Sequence, residues 1–286
     1  MEIKKILVIG AGQMGGGIAQ VFAQSGFEVL LNDSYAEAIP KRIEFIDGLL
    51  TKSVSKGKIT EEDKKNTLAN LKVCNDLKEA KDVDLVVEAI IENVEIKASV
   101  IKQLNEILRD DVIFATNTSS LPITELASNY KKPENYIGMH FFNPVPVMSL
   151  VEIIRGIATS DQTYKAIHDL TLKINKFPVM VNDVPGFVSN RVLQVMINEA
   201  ISCVEHGVAS VEGVDEVMKR GMAHPMGPLE LADFIGLDTV LSILEVMYKG
   251  YGNPKYAPSP LLRSYVKAGW LGRKSGKGFY DYSKEK

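Results

Sequence analysis

Ile3-Lys-Lys-Ile-Leu-Val-Ile-Gly10-Ala-Gly-Gln-Met-Gly15-Gly-Gly-Ile18 opens the chain and decides its fold. Residues 3 to 9 form a short strand-forming run rich in branched apolar side chains, Gly10 to Gly17 a glycine-rich turn, and Ile18 to about Gln24 an apolar-periodic helix. Gly10, Gly12 and Gly15 satisfy the pattern GxGxxG. Its glycines allow a tight turn, close approach of backbone to a pyrophosphate, and packing of helix on strand. The bare pattern is common. Here it follows a strand, opens a helix whose N-terminus attracts phosphate charge, and precedes an acid, Asp33, at the end of the next strand, Glu28 to Leu31.

Gly10, Gly12, Gln13, Met14, Gly15 and Asp33 are therefore the cofactor-binding candidates for a dinucleotide. Asp33 is placed to accept from the adenosine ribose. A 2′-phosphate would meet its carboxylate with no arginine immediately following, so NAD is favoured over NADP. Lys41 and Arg42 are the residues that would have to fold back for the opposite preference. As a plain structural residue, Asp33 would cap the next helix.

Working outward, Tyr35 to Lys56 alternates apolar and charged positions like a long amphipathic helix, and Glu61 to Ala69 continues as helix after Gly57. Leu85 to Val87, Ile113 to Ala115 and Tyr136 to Met139 are short, wholly apolar strands of the kind a parallel sheet buries on both faces. Val151 to Ile154 and Val179 to Val181 read as further strands, with a helix from Gln162 to about Ile174 between them. This alternation predicts an α/β, doubly wound, mostly parallel sheet of the Rossmann type over residues 1–184. After Asp183-Val-Pro-Gly186 the pattern turns helical throughout: Phe187 to His206, Val211 to Gly221, Pro228 to Tyr248 and Leu261 to Ala268. An all-helical domain over 185–286 is expected, contributing to the substrate cleft and to dimerisation.

The 286 residues are 45% hydrophobic and carry a net charge of -3, enough for a sizeable core and no global attraction to nucleic acid or anionic membranes. No apolar run is long enough to span a bilayer and no signal peptide precedes Ile6, which together point to the cytoplasm. Cys74 and Cys203 stand in unrelated contexts, and His168, His206 and His224 do not cluster, so neither disulfide nor metal is expected. Gly272 to Gly278 has three residues where a phosphate-binding P-loop has four before Gly-Lys, and lacks the hydroxyl that follows.

The chemistry is carried by loops that follow the later strands. His140 and Glu152 bracket the segment His-Phe-Phe-Asn-Pro-Val-Pro-Val-Met-Ser-Leu-Val-Glu. A carboxylate accepting from one ring nitrogen fixes tautomer and orientation, leaving the other nitrogen as a base for a hydroxyl proton while a nicotinamide takes the hydride. Taken alone, a histidine among aromatics reads as a satisfied core side chain. Ser119, in Thr116-Asn-Thr-Ser-Ser120 after another strand, lies at the same sheet edge and would hydrogen-bond a reacting oxygen, or else belong to a turn and helix cap. Asn143 would donate to a carbonyl, with Pro144 and Pro146 stiffening its loop. Asn190 would face a cleft from the first helix of the second domain, or be a surface amide beside Arg191, itself a candidate for a structural ion pair.

From the GxGxxG start through Asn117-Thr-Ser-Ser120, His140-Phe-Phe-Asn-Pro144, Asp183-Val-Pro-Gly-Phe187 and His224-Pro-Met-Gly-Pro228 to Gly272-Arg-Lys-Ser-Gly-Lys-Gly-Phe-Tyr280, the chain resembles the 3-hydroxyacyl-CoA dehydrogenase family, and among it the bacterial short-chain members. The resemblance implies a catalytic His140 oriented by Glu152, with Ser119 and Asn190 holding substrate oxygens. It also implies Glu92 and Lys97 near the nicotinamide ribose, Asn143 near the thioester or nicotinamide, and Lys56, flanked by Lys52 and Lys58, at a coenzyme A phosphate. Val195 departs from the proline or alanine common in the family. The expected activity is NAD-dependent interconversion of a 3-hydroxyacyl-CoA and a 3-ketoacyl-CoA of short chain, by a homo-oligomer, dimer or dimer of dimers. The alternatives are a dehydrogenase of a free hydroxy or sugar acid and a non-enzymatic dinucleotide-binding protein.

Overall fold

One sheet of eight strands organises the first part of the chain, in the order β3-β2-β1-β4-β5-β6-β7-β8. The strands are β1 (Lys5–Ile9), β2 (Glu28–Asn32), β3 (Leu71–Val73), β4 (Leu85–Glu88), β5 (Ile113–Thr116), β6 (Tyr136–Phe141), β7 (Leu150–Arg155) and β8 (Phe177–Asn182). Every pairing is parallel except that of β6 with β7. The computed structural model describes residues 2–283. The chain folds as two compact units, the first ending at Asp183 and the second beginning at Val184.

The helices of the first unit are α1 (Gln13–Gln24), α2 (Ala38–Ser55), α3 (Glu61–Asn70), α4 (Val94–Asn105), α5 (Ile123–Ala127) and α6 (Asp161–Lys173). Successive residues of the central strands, Ile6, Leu7 and Val8 and again Leu85, Val86 and Val87, are all fully buried. That follows from helices covering both faces of the sheet, and it explains the unbroken apolar runs. At the outer edge β8 exposes Phe177 and Met180 and tolerates Pro178, whose missing N–H harms an edge strand least. The sheet is the doubly wound one that the sequence predicts. β3 was not foreseen, because Leu71-Lys-Val73 is too short to show a period.

The strand order reverses between β1 and β4, and doubly wound sheets bind ligands at such a switch point, outside the carboxyl ends of the strands. Gly10 leaves β1 there with φ +105°, and a Cβ on it would lie 2.5 Å from the carbonyl oxygen of Ala89, just past β4. Gly15 lets α1 sit on the turn, since its Cβ would fall 1.9 Å from the Gly10 oxygen.

In the second unit, α7 (Ser189–Glu205), α8 (Val211–Glu216), α9 (Pro228–Ile235), α10 (Leu237–Tyr251) and α11 (Pro260–Lys267) enclose Ile197, Ile201, Leu237, Val240, Leu244 and Met247. Val195 packs against this core, so the departure from the family is absorbed by local packing. Two expectations need correction. The stretch 228–248 is two helices, broken at Gly236 with φ +102°, and 211–221 turns π-helical over Val217–Gly221. Side-chain periodicity runs through both breaks because the apolar face continues, so only the backbone reveals them.

Asp215 accepts from Leu229 N and Glu230 N (2.8 and 3.0 Å), capping α9, and Tyr280 Oη donates to it at 2.8 Å. Asp233 accepts from Phe279 N and Tyr280 N (3.0 and 2.9 Å). The glycine-rich segment is thus a strap rather than a phosphate loop. Gly278 would place a Cβ 1.9 Å from an Asp233 oxygen.

Burial pushes the Cys74 thiol up to about 11, with Glu79 and Asp76 adding to the shift. At pH 8 it is almost wholly the unreactive thiol. A thiol reagent should therefore leave Cys74 unmodified in the native protein and modify it in urea; rapid native labelling, located by peptide mass, would contradict this placement.

Candidate active site

The antiparallel hairpin of β6 and β7 sets His140 directly opposite Glu152. Opposed residues on an antiparallel pair point to the same face with Cβ atoms about 5 Å apart, which brings imidazole and carboxylate into bonding range. His140 Nδ1 donates to Glu152 Oε2 at 2.9 Å, and both side chains are buried. A carboxylate only accepts, so the proton sits on Nδ1 and the Nε2 lone pair faces outward. Ser119 Oγ donates to that nitrogen at 3.1 Å.

Ser119 reaches His140 because the two loops are tied. Asn117 N donates to Glu88 O at 2.7 Å, and Asn117 Oδ1 accepts from Phe141 N at 2.8 Å, locking the end of β5 to the end of β6. The turn's capping function falls to Thr118, whose Oγ1 accepts from Leu121 N at 2.9 Å, which leaves the Ser119 hydroxyl to the histidine. Glu92 Oε1 accepts from Thr118 Oγ1 (2.6 Å), Ser119 N (2.9 Å), Ser120 N (3.1 Å) and Ser120 Oγ (3.1 Å).

Serine, histidine and carboxylate in a row are also the parts of a hydrolase. A nucleophilic serine, however, needs backbone N–H groups aimed at a developing oxyanion. Here the amides of Ser119 and Ser120 are committed to an anion, Glu92. The arrangement suits proton exchange with a substrate oxygen.

Lys97 is fully buried, with Nζ at 2.6 Å from Glu88 Oε1 and 3.6 Å from Glu92 Oε2. It lies behind Glu92, which is the partly exposed member of the group. Glu88 and Thr116 were not singled out as site residues from sequence, and Arg42 was named there only as a residue that would have to fold back, which it does onto Ala11 O. Glu88 and Thr116 both fall just past the strands read from sequence, which end at Val87 and Ala115, and only their burial as polar groups marks them. Lys176 was likewise missed: its buried ammonium donates to Val145 O and Met148 O, both at 2.6 Å, and so holds the loop after His140. In that loop, which includes a cis Asn143–Pro144 bond, Asn143 Oδ1 accepts from Gln13 Nε2 at 3.0 Å, joining it to the glycine-rich turn.

The turn fits a dinucleotide. Gly12 is the N-cap of α1 with no side-chain cap and no acid in the first turn, so free amides face an anion site. A Cβ on Gly12 would meet nothing within 4 Å, leaving the approach open. Asp33 does not cap α2, whose N-cap is Glu37; its Oδ2 instead accepts from Ala11 N at 2.6 Å and its Oδ1 from Tyr35 N at 2.9 Å. Arg42 Nε donates to Ala11 O at 2.9 Å, clamping the same peptide from its other side. A cavity of about 930 Å³ runs past Gly12, Gln13, Asp33, Arg42 and Asn143. Met14 packs against the core of this unit.

Lys52, Lys56 and Lys58 are exposed at the end of α2 and the turn after it, and among the described residues none has an ion-pair partner. Asn190 is buried on α7, where Gln194 lies 3.5 Å from its Oδ1, so it is not a surface amide. Arg191 makes no ion pair among the described residues; it donates to the hydroxyls of Tyr256 (3.1 Å) and Tyr251 (3.3 Å) and stacks over Tyr251. Among the described residues no cluster of His, Cys, Asp and Glu could hold a metal, and no helix is long and apolar enough to cross a membrane.

Residues 5–184 match the model of the 3-hydroxyacyl-CoA dehydrogenase NAD binding domain, and residues 186–282 that of the same family's C-terminal domain. The chain belongs to the 3-hydroxyacyl-CoA dehydrogenase family. A probable 3-hydroxybutyryl-CoA dehydrogenase of Bacillus subtilis is 55% identical over 285 residues, covering 100% of this chain and 99% of that protein. A 3-hydroxybutyryl-CoA dehydrogenase of Clostridioides difficile is 50% identical, covering 98% and 100%. The crystal structure of (S)-3-hydroxybutyryl-CoA dehydrogenase from Ralstonia eutropha superimposes with a TM-score of 0.97 at 47% identity, covering 99% of this chain and 100% of that one. As a 3-hydroxyacyl-CoA dehydrogenase the chain is an NAD-dependent oxidoreductase, and its first unit is the dinucleotide-binding part.

Proposed function

We propose that the chain interconverts (S)-3-hydroxybutyryl-CoA and acetoacetyl-CoA, with His140 as the group that exchanges the hydroxyl proton. The observation that carries this reading is the line Ser119 Oγ, His140 Nε2, His140 Nδ1, Glu152, which fixes one tautomer and aims its lone pair at a hydroxyl position. NAD, when bound, supplies the hydride acceptor for the carbinol carbon. In oxidation His140 Nε2 takes the substrate's hydroxyl proton, and Glu152 stabilises the imidazolium across a buried hydrogen bond. In reduction the same nitrogen returns a proton to the ketone oxygen. Ser119 donates to that oxygen, as the 3.1 Å bond to His140 already holds its hydroxyl at the proton-transfer position. Asn190 is assigned the second contact to the substrate by family analogy.

Gly10, Gly12, Gln13, Met14, Gly15, Asp33, Glu92, Lys97 and Asn143 belong to the cofactor side, with Lys97 acting through Glu92. Lys56 meets a coenzyme A phosphate, as an exposed ammonium at the C-cap of α2 can. We assign the protein to the cytoplasm and to a homo-oligomer built through the helical unit. An apolar groove of about 360 Å³ lined by Met196, Val214 and Met218, with Val208 and Val217 exposed beside it, supports the latter.

A series of 3-ketoacyl-CoAs of increasing length, run with NADH and NADPH in parallel, tests the substrate and cofactor together. Four-carbon acetoacetyl-CoA should lead the series, and NADPH should lower kcat/KM by about tenfold or more, because Asp33 would oppose its extra phosphate. Equal turnover of free acetoacetate would make the thioester assignment wrong.

A further inference from the structure

The buried charges under the Ser119 turn form a chain whose first member takes no part in the proton and hydride transfers. Glu88, the last residue of β4, is fully buried. Its Oε1 lies 2.6 Å from Lys97 Nζ and accepts from Ile90 N at 2.8 Å, while its Oε2 accepts from Thr116 Oγ1 at 2.7 Å. Among the described residues Lys97 has ion-pair partners at Glu88 and Glu92 alone, the second at 3.6 Å. Glu92 in turn collects the donors of Thr118, Ser119 and Ser120.

A buried ion pair is a poor device for stability, since desolvation of both groups offsets most of their attraction. It is an effective device for placing a charge. We propose that Glu88 is a positioning residue of the reaction: by holding the Lys97 ammonium on its own carboxylate it leaves Glu92 bound to the 118–120 turn, which seats the Ser119 hydroxyl against His140. Without the Glu88 charge, the ammonium turns to Glu92. Closing the 3.6 Å gap then draws Glu92 off the amides of Ser119 and Ser120, and the hydroxyl shifts from its seat 3.1 Å from Nε2.

This inference rests on the reading that His140 exchanges the substrate proton, which His140→Ala tests by itself. The decisive experiment is a double-mutant cycle with acetoacetyl-CoA and NADH, comparing Glu88→Gln in the native chain and in Ser119→Ala. In the native chain Glu88→Gln should lower kcat by about tenfold to a hundredfold, the effect of a displaced reacting group. NADH affinity by fluorescence titration should fall as well, because Glu92 belongs to the cofactor side, but by a smaller factor than kcat. In the Ser119→Ala background the further loss should be under about twofold, since residues acting through one another are not additive.

An equal loss in both backgrounds overturns the proposal, as does a Glu88→Gln variant of native kcat, or one in which the whole effect lies in NADH affinity. A cycle that fails while His140→Ala abolishes turnover removes the role of Glu88 alone. Should Glu88→Gln not fold, Thr116→Val, which removes the 2.7 Å bond to Glu88 and leaves its charge in place, runs the same cycle. It should show a smaller kcat loss that again disappears with Ser119→Ala, and additivity there overturns the proposal equally.

Discussion

His140→Ala is expected to lower kcat for acetoacetyl-CoA reduction by about 10²- to 10⁴-fold, the usual contribution of a positioned proton donor. The substitution removes the atom that faces Ser119 and leaves the Glu152 carboxylate buried without its ring partner. Losing a hydrogen bond to a buried carboxylate costs about 1–3 kcal/mol, so thermal melting should be followed alongside turnover to show that the chain remains folded. NADH binding should persist within about threefold, because most of the cofactor's contacts belong to the glycine-rich turn, which hangs from β1, and β4 and β5 stand between β1 and β6. Turnover near that of the native chain would remove His140 from the reaction.

Glu152→Gln should be nearly as damaging, at about 10²- to 10⁴-fold in kcat, although it changes hardly any volume. An amide can offer N–H as well as C=O to His140 Nδ1. If it donates, the ring proton moves to Nε2 and the nitrogen facing Ser119 can no longer accept. Even when it accepts, no charge remains beside the imidazolium that forms on oxidation. A variant that kept native kcat would show that the 2.9 Å contact serves packing alone. Addition of free imidazole gives a further distinction: it should restore part of the activity to His140→Ala but none to Glu152→Gln, where the ring is present and wrongly protonated.

Much of this was legible in the sequence because the informative features are local. The glycine turn, the acid at the end of β2 and the short apolar strands each depend on a handful of consecutive residues. His140 and Glu152 were legible as a pair, yet their direct opposition depends on a strand register that periodicity does not contain. The helix break at Gly236 was invisible because glycine inside an apolar pattern is tolerated, and only its φ of +102° separates a break from a weak point.

Buried polar residues were the other blind spot. Glu88 and Lys97 are nine residues apart; Glu88 falls just past the strand read from sequence, and Lys97 is named there by resemblance alone, with nothing to say that the two pair. Their pairing follows from how α4 settles on the sheet. Lys176 reaches 28 and 31 residues back to carbonyls in the loop that joins β6 to β7. Arg42 serves a peptide 31 residues earlier. Such contacts join side chain to backbone across strands, and a carbonyl leaves no signature in the amino-acid code.

The hairpin register also sets a rule of parity. Side chains on a strand alternate between the two faces of a sheet, so sliding β7 by one position against β6 would turn Glu152 away and bring Val151 or Ile153 under the imidazole. The eight residues from Phe142 to Ser149 that connect the strands therefore behave as a ruler. Outside the residues that face the cofactor cavity, such as Asn143, their composition can drift while the spacing stays constant, and the loss or gain of a single residue would separate the base from its counter-charge in a protein otherwise able to fold.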